Sequence, residues 1–411
     1  MLPPFLPQCS SLIVFYLLES PTRETGRTST GDPTIQIPDA FVSSWTGRRL
    51  LPEFQKIVLA TRDLTEARPL RPSSPVRSRQ PAAGQSQTRP GSESPIGCTP
   101  LLALRSSPAI HPRDFDDGCD KWNGRSFLGV PRYYRHSISV LQRAVSRWNK
   151  QHNIKFSVNF GDIIDGYCPK DKSLWAVQKV VDEFEKFDGP TYHMFGNHCL
   201  YNLPRSKLVS LLKMPANSSR AYYDFSPCPE YRFVVLDAYD FSALGWPRDH
   251  PVTANAMKLL DEKNPNADKN SPDGLVGVDR RFVMFNGAVG KEQLSWLNDV
   301  LQDASAHHQN VIICSHLPMD PGSASPAALM WNYDEVMAIV WQYNCVKACF
   351  AGHDHKGGHS VDSHGIHHRT LEAALECPPG TSAFGHIEVY TDKLLLVGSD
   401  KMADTEMRFK P

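Results

Sequence analysis

Four apolar runs in the C-terminal two-thirds of this chain each close on a polar cluster: FSVNF on GDIID at 156–165, TYHMF on GNH at 191–198, NVIIC on SH at 310–316, and VKACFA on GHDH at 346–355. An apolar run of about five residues is the mark of a buried strand, and the polar residues behind it are delivered to the edge of a sheet. Four such edges in order describe a metal site. Two cations about 3.5–4 Å apart can hold a phosphoryl oxygen and generate hydroxide at neutral pH, and they need one bridging carboxylate plus imidazole and amide oxygens. Asp162 is the bridge candidate, with Asn197, His316, His353 and His355 as the remaining ligands. His353 and His355 lie two apart, so an extended strand end would put them on one face, toward neighbouring metals.

Taken singly, these motifs have ordinary structural readings: GDxxD as a solvated turn, GNH as a type I turn, a His after a strand as a satisfied core residue. Their occurrence together, each behind its own apolar run, favours the metal site.

At these residues the chain resembles the calcineurin-like metallophosphoesterases, whose blocks are DxH or DxQ, GDxxD, GNH, a lone His and GHxH. Longer strings, PRYYRHS at 131–137, KNSPDGL at 269–275, FNGAVGKEQLSWLN at 285–298, WNY at 331–333 and AFGHIEVY at 383–390, are similar to the manganese-dependent ADP-ribose/CDP-alcohol diphosphatases. Cys199 after GNH is similar to their plant-like branch. The likeness runs from Gly124 to Gly398 and implies an α/β fold, a four-layer αββα sandwich with the metals at its strand edges. It implies two divalent cations, manganese above all, with zinc or magnesium as alternatives. The substrate implied is a small nucleotide diphosphate, giving AMP and ribose 5-phosphate from ADP-ribose, or CMP and a phospho-alcohol from CDP-choline, CDP-ethanolamine or CDP-glycerol. His198, carried over from GNH, would stabilise or protonate the leaving oxygen. Asp165 is suited to orient His198 rather than to bind metal.

One block is absent. The family opens its domain with a strand ending in DxQ or DxH, and here that position reads SSPAIHPRDFDDGCDKWN, with two prolines and no apolar run. The first metal would then keep Asp162 and His355 alone, and its site is expected to be weak or empty. A central strand position would be unfilled, or taken by a poorly matched N-terminal segment. Asp63, Asp114 and Asp116 are the acids that might stand in. Two alternatives to an active diphosphatase stay open: a degenerate member that binds nucleotide with an incomplete site, and a metallophosphatase or phosphodiesterase of other substrates.

Residues 1–123 are a different material from 124–411. The first 110 residues hold 15 of the 33 prolines and 11 arginines against one lysine, Lys56, with long Ser/Pro/Arg/Gln stretches. Such a segment buries too little apolar surface to offset its chain entropy and is expected to be disordered. Its apolar stretch at 11–18 is too short to span a bilayer and has no basic residue before it. Arg-rich, acid-poor composition suits an organelle transit peptide or an untargeted leader. A formal net charge of zero gives no reason to expect nucleic acid or a membrane as partner. Ten cysteines without CxxC pairs read as reduced core thiols of a cytoplasmic enzyme, and a monomer is expected.

From Pro131 onward, helix and strand patterns alternate. Tyr134, Ile138, Leu141, Val145 and Trp148 make 132–149 an amphipathic helix, and Leu174, Val177, Val181, Phe184 and Phe187 form one face of the next. Residues 231–239 read as a strand, 291–301 and 334–343 as helices, and 366–398 as alternating strands. Residues 240–285 are a long polar insertion whose length suggests a binding loop. Arg132, Tyr133 and Asn286 are the substrate-binding candidates.

Overall fold

The strands of the C-terminal region sort into two main sheets, whose central strands, NVIICS and VKACFA among them, are buried on both faces, beside a separate two-stranded ribbon. The computed structural model describes residues 12–16, 101–105, 125–127, 129–151, 153–215 and 220–410. In chain order the strands are β1 (Leu12–Tyr16), β2 (Leu101–Arg105), β3 (Arg125–Phe127), β4 (Val130–Arg132), β5 (Ile154–Asn159), β6 (Thr191–His193), β7 (Tyr223–Cys228), β8 (Tyr231–Val235), β9 (Asn310–Ser315), β10 (Val346–Ala351), β11 (Gly358–Val361), β12 (His367–Thr370), β13 (Phe384–Val389), β14 (Lys393–Gly398) and β15 (Thr405–Arg408). The helices are α1 (Tyr134–Asn149), α2 (Ser173–Phe184), α3 (Asn197–Asn202), α4 (Arg205–Leu211), α5 (Pro251–Lys263), α6 (Lys291–Ala306) and α7 (Tyr333–Val340). One sheet has the order β15-β14-β13-β2-β1-β5-β6, the other β11-β12-β10-β9-β8-β7.

The two sheets meet through aromatic rings. Phe156 of β5 lies edge-on to Phe225 and Phe233 of the second sheet, at 5.1 and 5.0 Å between centroids, and Tyr192 of β6 stacks on Phe225 at 3.6 Å. Helices α1 and α2 cover the first sheet and α6 and α7 the second, the αββα arrangement expected. Trp148, buried at the end of α1, lies edge-on to Phe187 and Phe384 and ties that helix to β13.

Several expectations are corrected in detail. Leu174 is exposed, because the inner face of α2 is set by Ser173, Val177, Val180 and Phe184, and Phe187 lies beyond the helix end. Ser173 is drawn inward by hydrogen bonds from its hydroxyl to Pro169 O and Asn202 Oδ1, each 3.1 Å. The strand expected over 231–239 stops at Val235. Residues 240–285 are not a simple loop: α5 buries Ala256 and Leu260 against Phe282, Ala288 and Trp331 as a small core of its own. The GNH segment opens helix α3 rather than a turn.

Two strands come from the leader. Between β5 and β13 lie Leu12–Tyr16 and Leu101–Arg105. β1 runs antiparallel to β5, with Tyr16 opposite Ile154 at the start of β5, so the chain after β1 leaves from the edge opposite Asp162. β2 is antiparallel to β1 and therefore parallel to β5, which brings its carboxyl end to the same edge as Asp162. The strand closes on Arg105, and its described residues, LLALR, include no acid where an Asp-x-Gln would stand. The rest of the leader, including Asp63, Asp114 and Asp116 and the expected disorder, falls outside the described residues. Among the described residues no helix is long and apolar enough to cross a membrane.

Candidate metal centre

Strand ends β5, β9 and β10 and the start of α3 converge on one buried point. Asp162, His316 and His353 each offer a ligand atom, and these atoms lie within 4.8 Å of one another. His316 Nδ1 donates to Phe160 O at 2.6 Å, which fixes the proton there and leaves Nε2 as the lone-pair atom. Around that Nε2 stand His353 Nδ1 at 3.2 Å, Asn197 Oδ1 at 3.4 Å and Asp162 Oδ2 at 3.6 Å. His353 Nε2 is buried with no hydrogen-bond partner among the described residues. Imidazole nitrogens, a carboxylate and an amide oxygen drawn this close, with a buried ring nitrogen left over, fit a divalent cation.

Backbone strain accompanies this convergence. Asp162 and His353 both adopt left-handed backbone, with φ of 50° and 66°, a region most side chains avoid. At His353 the Asp354 N–H bonds Gly352 O at 2.8 Å and closes a tight turn. His353 and His355 therefore do not share the face of an extended strand: the chain leaves β10 at Ala351 and turns before either ring. Gly161 and Gly196 permit the approach of the two loops. A Cβ on Gly161 would lie 2.7 Å from His316 Nδ1, and one on Gly196 2.5 Å from Asp162 N. Gly196→Ala is expected to displace Asp162, destabilise the fold by about 1–3 kcal/mol through overpacking and cut turnover on the order of a hundredfold. Thermal melting and an activity assay on the variant check both effects.

Burial keeps the rings uncharged and ready to ligate. Desolvation pushes His316 down to about 3 and holds His353 well below the usual imidazole range, with neighbouring histidines adding to the effect. His355 is also shifted down by burial, and its Nδ1 contacts Glu376 Oε1 at 2.7 Å.

His198 is buried at the same edge. Its Nδ1 accepts the Gly166 N–H at 2.7 Å, so in the neutral ring Nε2 carries the proton. Asp165 Oδ2 stands 3.6 Å from that Nδ1, and Asp165 Oδ1 takes the Tyr167 N–H at 2.8 Å. Asp165 thus lies beside His198 and fastens the loop at Gly166 by accepting the Tyr167 N–H. Burial and the charge of Arg132 hold His198 well below its usual range.

The three substrate candidates differ in placement. Arg132 is buried near His198 and His355, and Tyr133 is half-buried at the start of α1. Asn286 is fully buried, with its amide nitrogen donating to Arg281 O at 2.9 Å and Ala327 O at 2.8 Å. Asn286 therefore clamps the loop after His316.

Other contributors carry weaker sequence signals. Tyr239 Oη reaches Asn197 Oδ1 at 3.5 Å and Phe285 O at 3.3 Å. Its run YRFVVLDAY is a fifth apolar stretch closing on an acid, but Asp237 pairs with Arg205, whose guanidinium lies between the rings of Phe195 and Trp246. Breaking such a buried pair typically costs about 3–5 kcal/mol. Glu376 has no motif that points to it.

Residues 131–357 match the family model described as calcineurin-like phosphoesterase. The chain is 92% identical to the manganese-dependent ADP-ribose/CDP-alcohol diphosphatase of Oryza sativa subsp. japonica over 70% of this chain and 90% of that protein. It is 66% identical to the protein of the same name from Arabidopsis thaliana, over 69% and 91%, and 40% identical to that from Homo sapiens, over 71% and 90%. Among solved structures, a dimetal phosphatase from Danio rerio is similar, with a TM-score of 0.68 and 33% identity over 77% of this chain and all of that one.

Proposed function

This chain belongs to the calcineurin-like phosphoesterases, among the manganese-dependent ADP-ribose/CDP-alcohol diphosphatases, and from that membership we propose that it hydrolyses the diphosphate linkage of ADP-ribose and CDP-alcohols. The observation that carries this reading is the convergence of Asp162, His316 and His353 on one buried point. A divalent ion held there with Asn197 supplies charge neutralisation for phosphate oxygens and an activated water as nucleophile. Manganese is the ion that the relatives' name specifies, and the mixed oxygen and nitrogen donors also suit zinc, and magnesium less well. Asp162 and His355 would hold a second ion.

The chain's own groups divide the remaining work. Neutral His198, with its proton on Nε2, donates to the oxygen that leaves phosphorus. Buried Arg132 sets a fixed positive charge beside the diphosphate, and Tyr133 offers side-chain surface at the start of α1. The cysteines among the described residues are all free, which suits a reducing compartment such as the cytoplasm.

The first motif's absence favours a lowered rate. β2 closes on Arg105 at the edge where a first aspartate belongs, so among the described residues the position that Asp162 and His355 would share has two candidate ligands and would hold an ion loosely. With added Mn²⁺, purified protein is expected to release AMP from ADP-ribose and CMP from CDP-choline. Faster cleavage of p-nitrophenyl phosphate than of either nucleotide would point to a general phosphomonoesterase and overturn the proposal.

A further inference from the structure

Beyond the stretch that matches the family model, which ends at residue 357, a second carboxylate reaches the centre. Glu376 closes a short 3-10 turn, Ala374–Glu376, and its Oε1 accepts from His355 Nδ1 at 2.7 Å. Its other oxygen, Oε2, accepts from Lys401 Nζ at 2.8 Å. Both the His355 and Glu376 side chains are nine-tenths buried. The turn itself is fixed at two further points: Ala373 N–H bonds His355 O at 3.1 Å, and Leu375 O accepts the Tyr133 N–H at 2.7 Å.

A carboxylate on Nδ1 dictates what the other ring nitrogen does. With Nδ1–H committed to Glu376, His355 presents Nε2 as its lone-pair atom, on the side of the ring away from Glu376. The same geometry excludes Glu376 as a substitute for the missing first aspartate, because an ion on Nε2 is across the ring from it. We propose that Glu376 is a positioning residue that sets the tautomer and orientation of His355, and that Lys401 holds the carboxylate in place. The second ion position would depend on Glu376 more than a site with a full set of ligands, since among the described residues Asp162 is the one other donor assigned to it.

This inference rests on reading His355 as a ligand, so the test separates the two. Mn²⁺ binding to full-length protein is followed by the EPR signal of the free ion, for the parent chain and for His355→Ala, Glu376→Ala, Glu376→Gln and Glu376→Asp. Glu376→Ala is expected to raise the Mn²⁺ concentration that half-fills the weaker position by about 10–100-fold, leaving the tighter ion in place. Glu376→Gln keeps an acceptor oxygen for Nδ1–H and should recover most of the loss, which a merely structural role would not produce. Should the alanine variant fail to fold, Glu376→Asp decides: it keeps the charge, withdraws the oxygen, and is expected to weaken the same position by about tenfold. Unchanged binding in Glu376→Ala or Glu376→Asp, or a glutamine variant as weak as the alanine one at equal melting temperature, overturns the inference. If His355→Ala binds both ions like the parent, the ligand reading itself fails. If it loses the weaker ion while the Glu376 variants do not, only the role of Glu376 falls.

Discussion

Replacing His316 with alanine is expected to strip the better-supplied ion and to lower turnover by roughly a thousandfold, about 4 kcal/mol of transition-state stabilisation. The expectation follows from the place of this ring. Its Nε2 is the atom around which Asp162, Asn197 and His353 gather, and its Nδ1–H is held by Phe160 O. Removal leaves Phe160 O buried without that donor, a cost of about 1–3 kcal/mol in stability. Melting temperature should therefore fall as well, and the two effects are separated by measuring metal content on the folded fraction. Metal content equal to the parent chain would sink the assignment of His316.

Grafting an apolar strand that ends in Asp-Val-Gln ahead of Gly124 is expected to raise turnover on the order of a hundredfold at limiting Mn²⁺, the scale on which a misplaced reacting group costs rate. The present occupants of that part of the sheet explain why. β1 enters antiparallel to β5 and carries its carboxyl end away from Asp162, while β2 has the right direction but closes on Arg105. Neither described strand, LIVFY or LLALR, carries a carboxylate that could serve a second ion at that edge. Steady-state rates for the grafted and parent chains over a Mn²⁺ series measure the gain. Equal rates would show that the parent chain already has a complete site, and would direct alanine substitutions to Asp63, Asp114 and Asp116.

The convergence of the centre's side chains is legible because strands announce themselves by apolar runs, and the polar residues at strand ends follow those runs directly. Asp162, Asn197, His316 and His353 stand where GDIID, GNH, SH and GHDH placed them. Geometry beyond the strand end was not legible. A left-handed φ at His353 follows no simple composition rule, so His353 and His355 leave the extended alternation that put them on one face. Asp237 shows the converse: the same apolar-run pattern ends there in a pair with Arg205, set by a residue 32 positions away. Glu376 reaches His355 across 21 residues of turn and strand, and no periodicity encodes such a contact. The helix within the 240–285 insertion is not legible because α5 is mostly polar and buries only a narrow stripe against Phe282 and Trp331.

We propose that this centre is well supplied with ligands on the His316 side and, among the described residues, under-supplied on the other. Metal per chain, measured on full-length protein after equilibrium with Mn²⁺ and exhaustive dialysis, tests it most directly. One ion retained per chain, lost in His316→Ala, is the predicted result; two ions retained through dialysis by the unmodified chain would contradict it.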